Sequence, residues 1–461
     1  MRSAKERIHE YIEAHESEMI ETLAELVAIP SVRAEAEPDA PFGKEPARAL
    51  HKMLDLCESA GFSVRNHDNY VGSADFMPDT EPELGILCHL DVVPAGEGWE
   101  TDPYVLTREG GRLYGRGSAD NKGPAVAVLF ALRAVKELGL PITKNVRFLF
   151  GTDEECGSSD LAYYTQKEKL PNKLFTPDGD YPVINLEKGM IRGEVGATVA
   201  AGGKKTVVSA HGGATINAVP AKAEAELIGF TDEEVRAAIA MGPKDVTYTY
   251  ENGILTVFGK NAHASFPPAG KNAVTALIAV LSSLATDDGA GELFARASQA
   301  FVHGESDGRA LGLNVRDEKS GALTFAFSIM NYENGKFSGK FDIRFPICEN
   351  VAGIRAKAEE GLGRHGISLV NMTGVEPHYV SEDSPFIRTL LRVYKNMTGL
   401  QGRTIAIGGG TYVHNTEGGV AFGCAFPGEN NKMHGAGEYM ALGSLKLNAE
   451  IFASAILEIC K

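Results

Sequence analysis

The chain has 461 residues, 43% hydrophobic and 23% charged, which is more than one core usually serves and too apolar for a disordered chain, so two domains are expected. Its 45 basic residues against 61 acidic ones give a net charge of −16, which argues against nucleic acid or an anionic membrane as partner. It contains no run of about 18 apolar residues, no cleavable apolar leader and no C-x-x-C pair among its six scattered cysteines, so a soluble cytoplasmic protein with reduced thiols is expected.

Residues 4 to 28 place Ile8, Tyr11, Ile12, Met19, Ile20, Leu23, Leu26 and Val27 mostly three or four apart, which predicts one amphipathic helix stopped by Pro30. A second helix is expected from Pro46 to Ala60, ahead of the turn at Gly61. LGILCHLDVVP, residues 84 to 94, is a nearly continuous apolar run too short for a typical helix. It predicts a buried strand of a mostly parallel sheet, with His89 and Asp91 at its C-terminal end. GRGSADNKGP, residues 115 to 124, is a glycine-rich turn before the helical AVAVLFALRAVKEL, and NVRFLFGTDEECG is strand then turn, carrying Asp153, Glu154 and Glu155. Strand, helix and strand in that order form a right-handed crossover, and ligands gather beyond the carboxyl ends of such strands.

From about residue 187 to 382 the pattern changes to alternating strands such as KTVVSAHG, LTFAFSIMNYEN and KFSGKFDIRFP, with helices such as NAVTALIAVLSSL. This predicts an α+β insert whose sheet has one covered face. Helical and parallel-strand texture returns with FIRTLLRVYKNMTG, IAIGGGTY and NNKMHGAGEYM. The expected architecture is an α/β catalytic domain in two pieces, 1–186 and 383–461, its central sheet flanked by helices, interrupted by the α+β domain at 187–382. No linker, low-complexity tract or repeat is evident.

His89, Asp91, Asp120, Glu154, Glu155, Asp178 and His434 each stand where a hydrophobic stretch breaks. Carboxylates mixed with imidazoles suit a hard-to-borderline divalent metal, and the set reads as a two-metal hydrolase site. Taken singly, each residue has a plainer reading. His89 and Asp91 project to one side of a strand and suit a structural pair, and Asp120 suits a helix N-cap. Asp178 and His434 suit ordinary loops. Glu154 and Glu155 differ, because adjacent acids after a buried strand repel unless something positive compensates them. Cys88 and Cys156 adjoin these residues and are expected as small buried filler.

GILCHLDVVP, GRGSADNKGP, GTDEECGSSD, TPDGDYPV, INAVPAKAEAEL, GKNAHASFPPAGKNA, GKFDIRFP, IGGGTY and MHGAGE follow one another along nearly the whole chain. In that order they resemble the M20 metallopeptidases, within them the peptidase V and Xaa-His dipeptidases. The resemblance implies a catalytic domain holding two divalent metal ions and an inserted lid. By position, His89 and Asp178 would bind one ion and Glu155 and His434 the other, with Asp120 bridging and a cis peptide following it. Zinc is the first expectation, and such a shell also accepts manganese or cobalt. Glu154 would be general base and acid for a water activated by both ions, and Asp91 would orient His89.

In the lid, the resemblance makes His263 of NAHAS the oxyanion donor, with Asn217 of INAVP and Arg344 of DIRFP as substrate contacts. A guanidinium fork suits a terminal carboxylate. The run Gly408, Gly409, Gly410 and Thr411 would offer backbone N–H groups near a helix start to a carboxylate. Many relatives follow this motif with a small residue and an arginine, whereas Val413 and His414 stand here, so specificity does not transfer. The implied activity is a metal-dependent dipeptidase that cleaves dipeptides and short peptides with a free N-terminus, long chains being excluded by the closing lid. A lid of this length favours a monomer. Two alternatives remain: deacylation of N-acyl amino acids on the same site, and a non-catalytic peptide binder. The second would have lost Glu154 or a ligand, and none is lost.

Overall fold

The computed structural model describes residues 2–461. It divides into two compact units: the first runs to Leu186 and resumes over Tyr379–Ile405 and Gly410–Lys461, and the second comprises Glu187–His378 with Ala406–Gly409. The chain first returns at Tyr379, a few residues before the 382/383 boundary expected from sequence, and again at Gly410 after a four-residue excursion. The four-residue excursion is tied to the second unit because Lys188 N–H donates to the Ile407 carbonyl at 3.0 Å and Arg344 Nη1 to the Gly408 carbonyl at 2.8 Å.

A nine-stranded sheet forms the frame of the first unit. From one edge it runs Ser63–His67, Val71–Asp75, Asn145–Gly151, Pro82–His89, Lys173–Thr176 and Gly419–Ala421. Pro82–His89 pairs in parallel with Asn145–Gly151 and Lys173–Thr176, and Lys173–Thr176 pairs in parallel with Gly419–Ala421. Toward both edges the pairing becomes antiparallel. The sheet is therefore parallel at its centre and mixed as a whole, and its central strands are buried on both faces as their unbroken apolar runs require.

Lys122–Glu137, the crossover helix, buries nearly all of its first three turns and packs on the C-terminal helix Leu442–Ile459. Val126, Phe130, Phe148, Phe175, Phe422, Phe452 and Ile456 belong to one core. Each such side chain taken from water contributes about 1.5–3 kcal/mol before ordering entropy is subtracted.

The segment expected as one helix over residues 4 to 28 is two, Ala4–Ala14 and Glu16–Val27. The apolar stripe skips a turn between Ile12 and Met19. His15 breaks the helix there, its Nδ1 2.7 Å from the Tyr11 carbonyl and its ring stacked on Tyr11. Ser3 and Glu6 close the start with a capping box.

The second unit is an eight-stranded sheet ordered Thr247–Glu251, Ile254–Phe258, Lys222–Ile228, Thr206–Gly212, Thr324–Glu333, Lys336–Phe345, Gly189–Thr198 and Ser368–Val375, antiparallel throughout. Alternate residues such as Val207, Leu227, Leu255, Val257 and Phe341 share a separate core with Val274, Leu277 and Phe294 of the helices Ala273–Leu281 and Ala290–Ala300. No helix among the described residues is long and apolar enough to cross a membrane.

Candidate active site

Three central strands end side by side, and the chemistry begins where they stop. Pro82–His89 delivers His89 as its last residue, Asn145–Gly151 leads to Glu154 and Glu155 in a short 3-10 turn, and Lys173–Thr176 leads to Asp178. Asp120 closes the glycine-rich turn before the Lys122–Glu137 helix. The helix N-cap is Asn121, which makes no side-chain capping bond, so the plainer reading of Asp120 as a cap does not hold. The Asp120–Asn121 peptide is cis, as the resemblance implied. His434 stands in a turn with φ +61°, a left-handed conformation that costs a non-glycine residue about 1 kcal/mol or more and persists where its surroundings hold it.

These residues meet. His89 Nε2 is 3.0 Å from Asp120 Oδ1 and 3.9 Å from Asp178 Oδ2. His434 Nε2 is 2.8 Å from Asp120 Oδ2 and 3.2 Å from Glu155 Oε1. Potential ligand atoms of His89, Asp120 and Glu155 lie within 4.8 Å of one another, as do those of His89, Glu154 and Asp178. Asn121 Nδ2 spans two loops, donating to the Pro177 carbonyl at 3.0 Å and to Asp178 Oδ1 at 3.3 Å.

His89 Nδ1 lies 3.0 Å from the backbone carbonyl of Asp91 and 3.5 Å from its carboxylate Oδ1, and that carboxylate also accepts the N–H groups of Glu154 at 3.2 Å and Glu155 at 3.0 Å. One buried acid thereby fixes the backbone of both glutamates. A second acid, missed by sequence reasoning, holds the residues just before them: Asp160 accepts Thr152 N–H at 2.6 Å and Asp153 N–H at 2.9 Å, together with the Tyr412 hydroxyl. Gly151 makes this possible, because a Cβ there would lie 1.7 Å from Tyr412 Oη. Asp153 in turn pairs with Arg33 at 2.5 Å.

Electrostatically the cluster is short of positive charge. Asp120, Glu154, Glu155 and Asp178 crowd together, and among the described residues no lysine or arginine pairs with any of them. Burial, reinforced by Asp178, Glu155 and Asp120 and opposed by His89, pushes Glu154 well above the usual carboxylate range. Burial likewise raises Glu155 and Asp178. Burial would raise Asp120 too, but hydrogen bonds from His434 and His89 outweigh it and hold that carboxyl low. Hydrogen bonds to Asp120 and Glu155 raise His434 to about 11. Glu155 Oε1 is buried with only the His434 imidazole beside it, at 3.2 Å, and among the described residues the Glu154 carboxylate has no hydrogen-bond or ion-pair partner. Divalent cations would satisfy every one of these groups, so the donor set fits a metal centre.

Two cysteines flank the site. Cys88 is buried, as expected of filler, but Cys156 is exposed, because the 3-10 turn after Glu155 faces solvent.

Of the other sequence candidates, Asn217, His263, Arg344 and Gly409 lie in the second unit. Asn217 accepts Ala264 N–H through its carbonyl at 2.8 Å, and Ala218 pairs with His263 in a two-stranded ribbon. Ser265 N–H donates to His263 Nδ1 at 3.1 Å, which leaves the imidazole proton on Nε2. The Arg344 fork is already engaged: Nε lies 2.6 Å from Asp342 Oδ1 and Nη2 lies 3.1 Å from Oδ2. Gly408 and Gly409 lie in that unit, whereas Gly410 and Thr411 belong to the first. The helix start expected after this glycine run does not form. Two successive turns follow, His414 N–H to Thr411 and Thr416 N–H to Val413, and Thr416 Oγ1 bonds back to the Val413 carbonyl at 2.7 Å before Gly418 turns with φ +78°.

Residues 85–458 match the model of peptidase family M20/M25/M40. The chain belongs to that family. Among its curated relatives are the "Beta-Ala-Xaa dipeptidase" of Lactobacillus delbrueckii subsp. lactis, 34% identical with 98% of both chains covered, and "Putative dipeptidase YtjP" of Bacillus subtilis (strain 168), 35% identical over 96% of this chain and 97% of the relative. The M20 fold appears in the solved structure of human carnosine dipeptidase 1, which matches with a TM-score of 0.61 at 19% identity and covers 100% of this chain and 99% of that one. The M20 chain is thus a peptidase-family hydrolase with full-length relatives named as dipeptidases.

Proposed function

We propose that this M20 chain is a metal-dependent dipeptidase with two divalent ions, His89 and Asp178 holding one, Glu155 and His434 the other, and Asp120 both. The observation that carries the reading is the Asp120 carboxylate, each of whose oxygens faces a different histidine. Ions bound there supply Lewis acidity, polarising a carbonyl and bringing water's pKa toward neutrality. Zinc, manganese and cobalt all suit the shell.

The chain's own residues do the rest. Glu154 has an unpartnered carboxylate whose proton affinity burial raises. It takes the proton of the attacking water and delivers it to the departing amine. Asp91 positions Glu154 and Glu155 by binding their N–H groups and orients His89 through its carbonyl. In the second unit, proposed as a lid, His263 carries its proton on Nε2 as the oxyanion donor, with Asn217, Gly409, Gly410 and Thr411 as substrate contacts. Arg344 contributes by holding the Gly408 carbonyl, its fork being taken by Asp342. The relatives' printed names support dipeptides as substrates.

The test is release of amino acids from an unblocked dipeptide, with and without chelator, beside its N-acetyl form. Metal-dependent cleavage of the unblocked peptide supports the reading; faster cleavage of the acetylated one makes the protein a deacylase, and no cleavage with any of the three metals makes it a binder.

A further inference from the structure

Resting on that reading, the two halves of the centre are anchored unequally. His89 is the last residue of a paired strand, and Asp178 stands two residues past the end of the neighbouring parallel strand. His434 lies in the stretch 426–438, which contains no helix or strand.

What holds that stretch against the Asp120 turn is a buried ion pair. Arg116 is 1% exposed and Glu438 0%. Arg116 Nη1 lies 2.5 Å from Glu438 Oε2, and its Nη2 reaches the carbonyls of Ala95 at 3.2 Å and Gly435 at 3.3 Å. The other Glu438 oxygen accepts the N–H groups of Ala119 at 2.9 Å and Asp120 at 3.1 Å. Gly115 N–H closes the link on the Glu438 carbonyl at 3.1 Å. The residue after His434 and the residue before Asp120 are therefore bound to the two ends of one ion pair. Glu438 touches the centre only through the Asp120 N–H, and Arg116 holds the residue after His434, so neither offers a ligand atom.

We infer that Arg116 and Glu438 are positioning residues which latch the His434 turn onto the Asp120 turn and so set the affinity of the ion on the His434 side. A buried pair of this kind need not add stability over an apolar one, but it fixes two loops in register. Supporting partners of metal ligands typically change metal affinity about 10- to 100-fold. Asp120 serves both ions, but only the His434 side takes its histidine from the latched turn, so the larger effect should fall on the ion of that side.

The experiment is calorimetric titration of apo protein with Zn²⁺, wild type against Glu438→Gln, with far-UV circular dichroism and thermal melting of each apo form as fold controls. Gln keeps an acceptor for the two N–H groups and removes the charge that Arg116 binds. The latch predicts that wild type takes up two ions and that in E438Q one ion loses about 10- to 100-fold in affinity while the other changes less than about threefold. Equal loss of both ions, or no loss of either in a folded variant, overturns the latch. Arg116→Lys keeps the charge but cannot span Glu438 and the Gly435 carbonyl, carries the same expectation, and decides the question should E438Q fail to fold. Uptake of fewer than two ions by wild type refutes the dinuclear reading instead.

Discussion

His89 and His434 address opposite oxygens of one carboxylate, at 3.0 Å and 2.8 Å from Asp120 Oδ1 and Oδ2. The chain brings them together from a central strand end and from a turn near its C-terminus, and nothing between them but Asp120 is needed to make a shared centre. Glu154 stands beside that centre with its carboxylate unpaired among the described residues.

Glu154→Ala should lower kcat at least about 10³-fold, the scale of a lost general acid–base group, while leaving two ions bound. Steady-state kinetics and elemental analysis on one preparation check both halves. Retained turnover removes the proton-transfer role, and loss of an ion makes Glu154 a ligand.

The turn carrying both glutamates depends on Asp160. Asp160→Ala leaves the N–H groups of Thr152 and Asp153 and the Tyr412 hydroxyl without an acceptor, a loss of about 3 kcal/mol in urea unfolding together with a fall in kcat. Tyr412→Phe removes one of these bonds and should cost about 1 kcal/mol.

Much of this site was legible in the sequence because every proposed ligand terminates a hydrophobic strand or a glycine turn, which is where an α/β sheet exposes polar groups. The division into two cores follows from apolar runs against alternation. Arg116 and Glu438 were not legible: each looks like an ordinary loop charge until the fold buries them against each other. The break at His15 escaped because a single skipped turn barely disturbs helical periodicity. The missing helix after Gly410 escaped because turn-forming hydrogen bonds such as Thr416 to Val413 depend on local geometry rather than composition.

Removing the ions leaves four crowded carboxylates uncompensated. With free metal at about 100 times Kd, binding stabilises the native state by about 2.7 kcal/mol, so chelation should lower the melting temperature by about 5 °C or more. Differential scanning calorimetry with and without chelator, followed by restoration with Zn²⁺, checks this; an unchanged melting temperature contradicts a bound metal centre.

A surface pair gives a small pH effect of known sign. The hydrogen bond to Glu450 raises the pKa of His9. Its stabilisation is therefore fully present below the unfolded value of about 6.5 and is lost as pH rises through the higher folded value. The His9 side chain is 55% exposed, which limits the effect to about 0.5 kcal/mol. Denaturant unfolding of His9→Gln should differ from wild type by that amount at pH 6 and by nothing once His9 is neutral.

The most direct test of a centre shared through Asp120 is electron paramagnetic resonance of the protein loaded with two equivalents of Mn²⁺. Ions held by the two oxygens of one carboxylate must lie close enough to couple, as paired sites about 3.5–4 Å apart do, and a spin-coupled spectrum is predicted that collapses to uncoupled Mn²⁺ in Asp120→Ala. An uncoupled six-line spectrum from the fully loaded wild type would contradict the account.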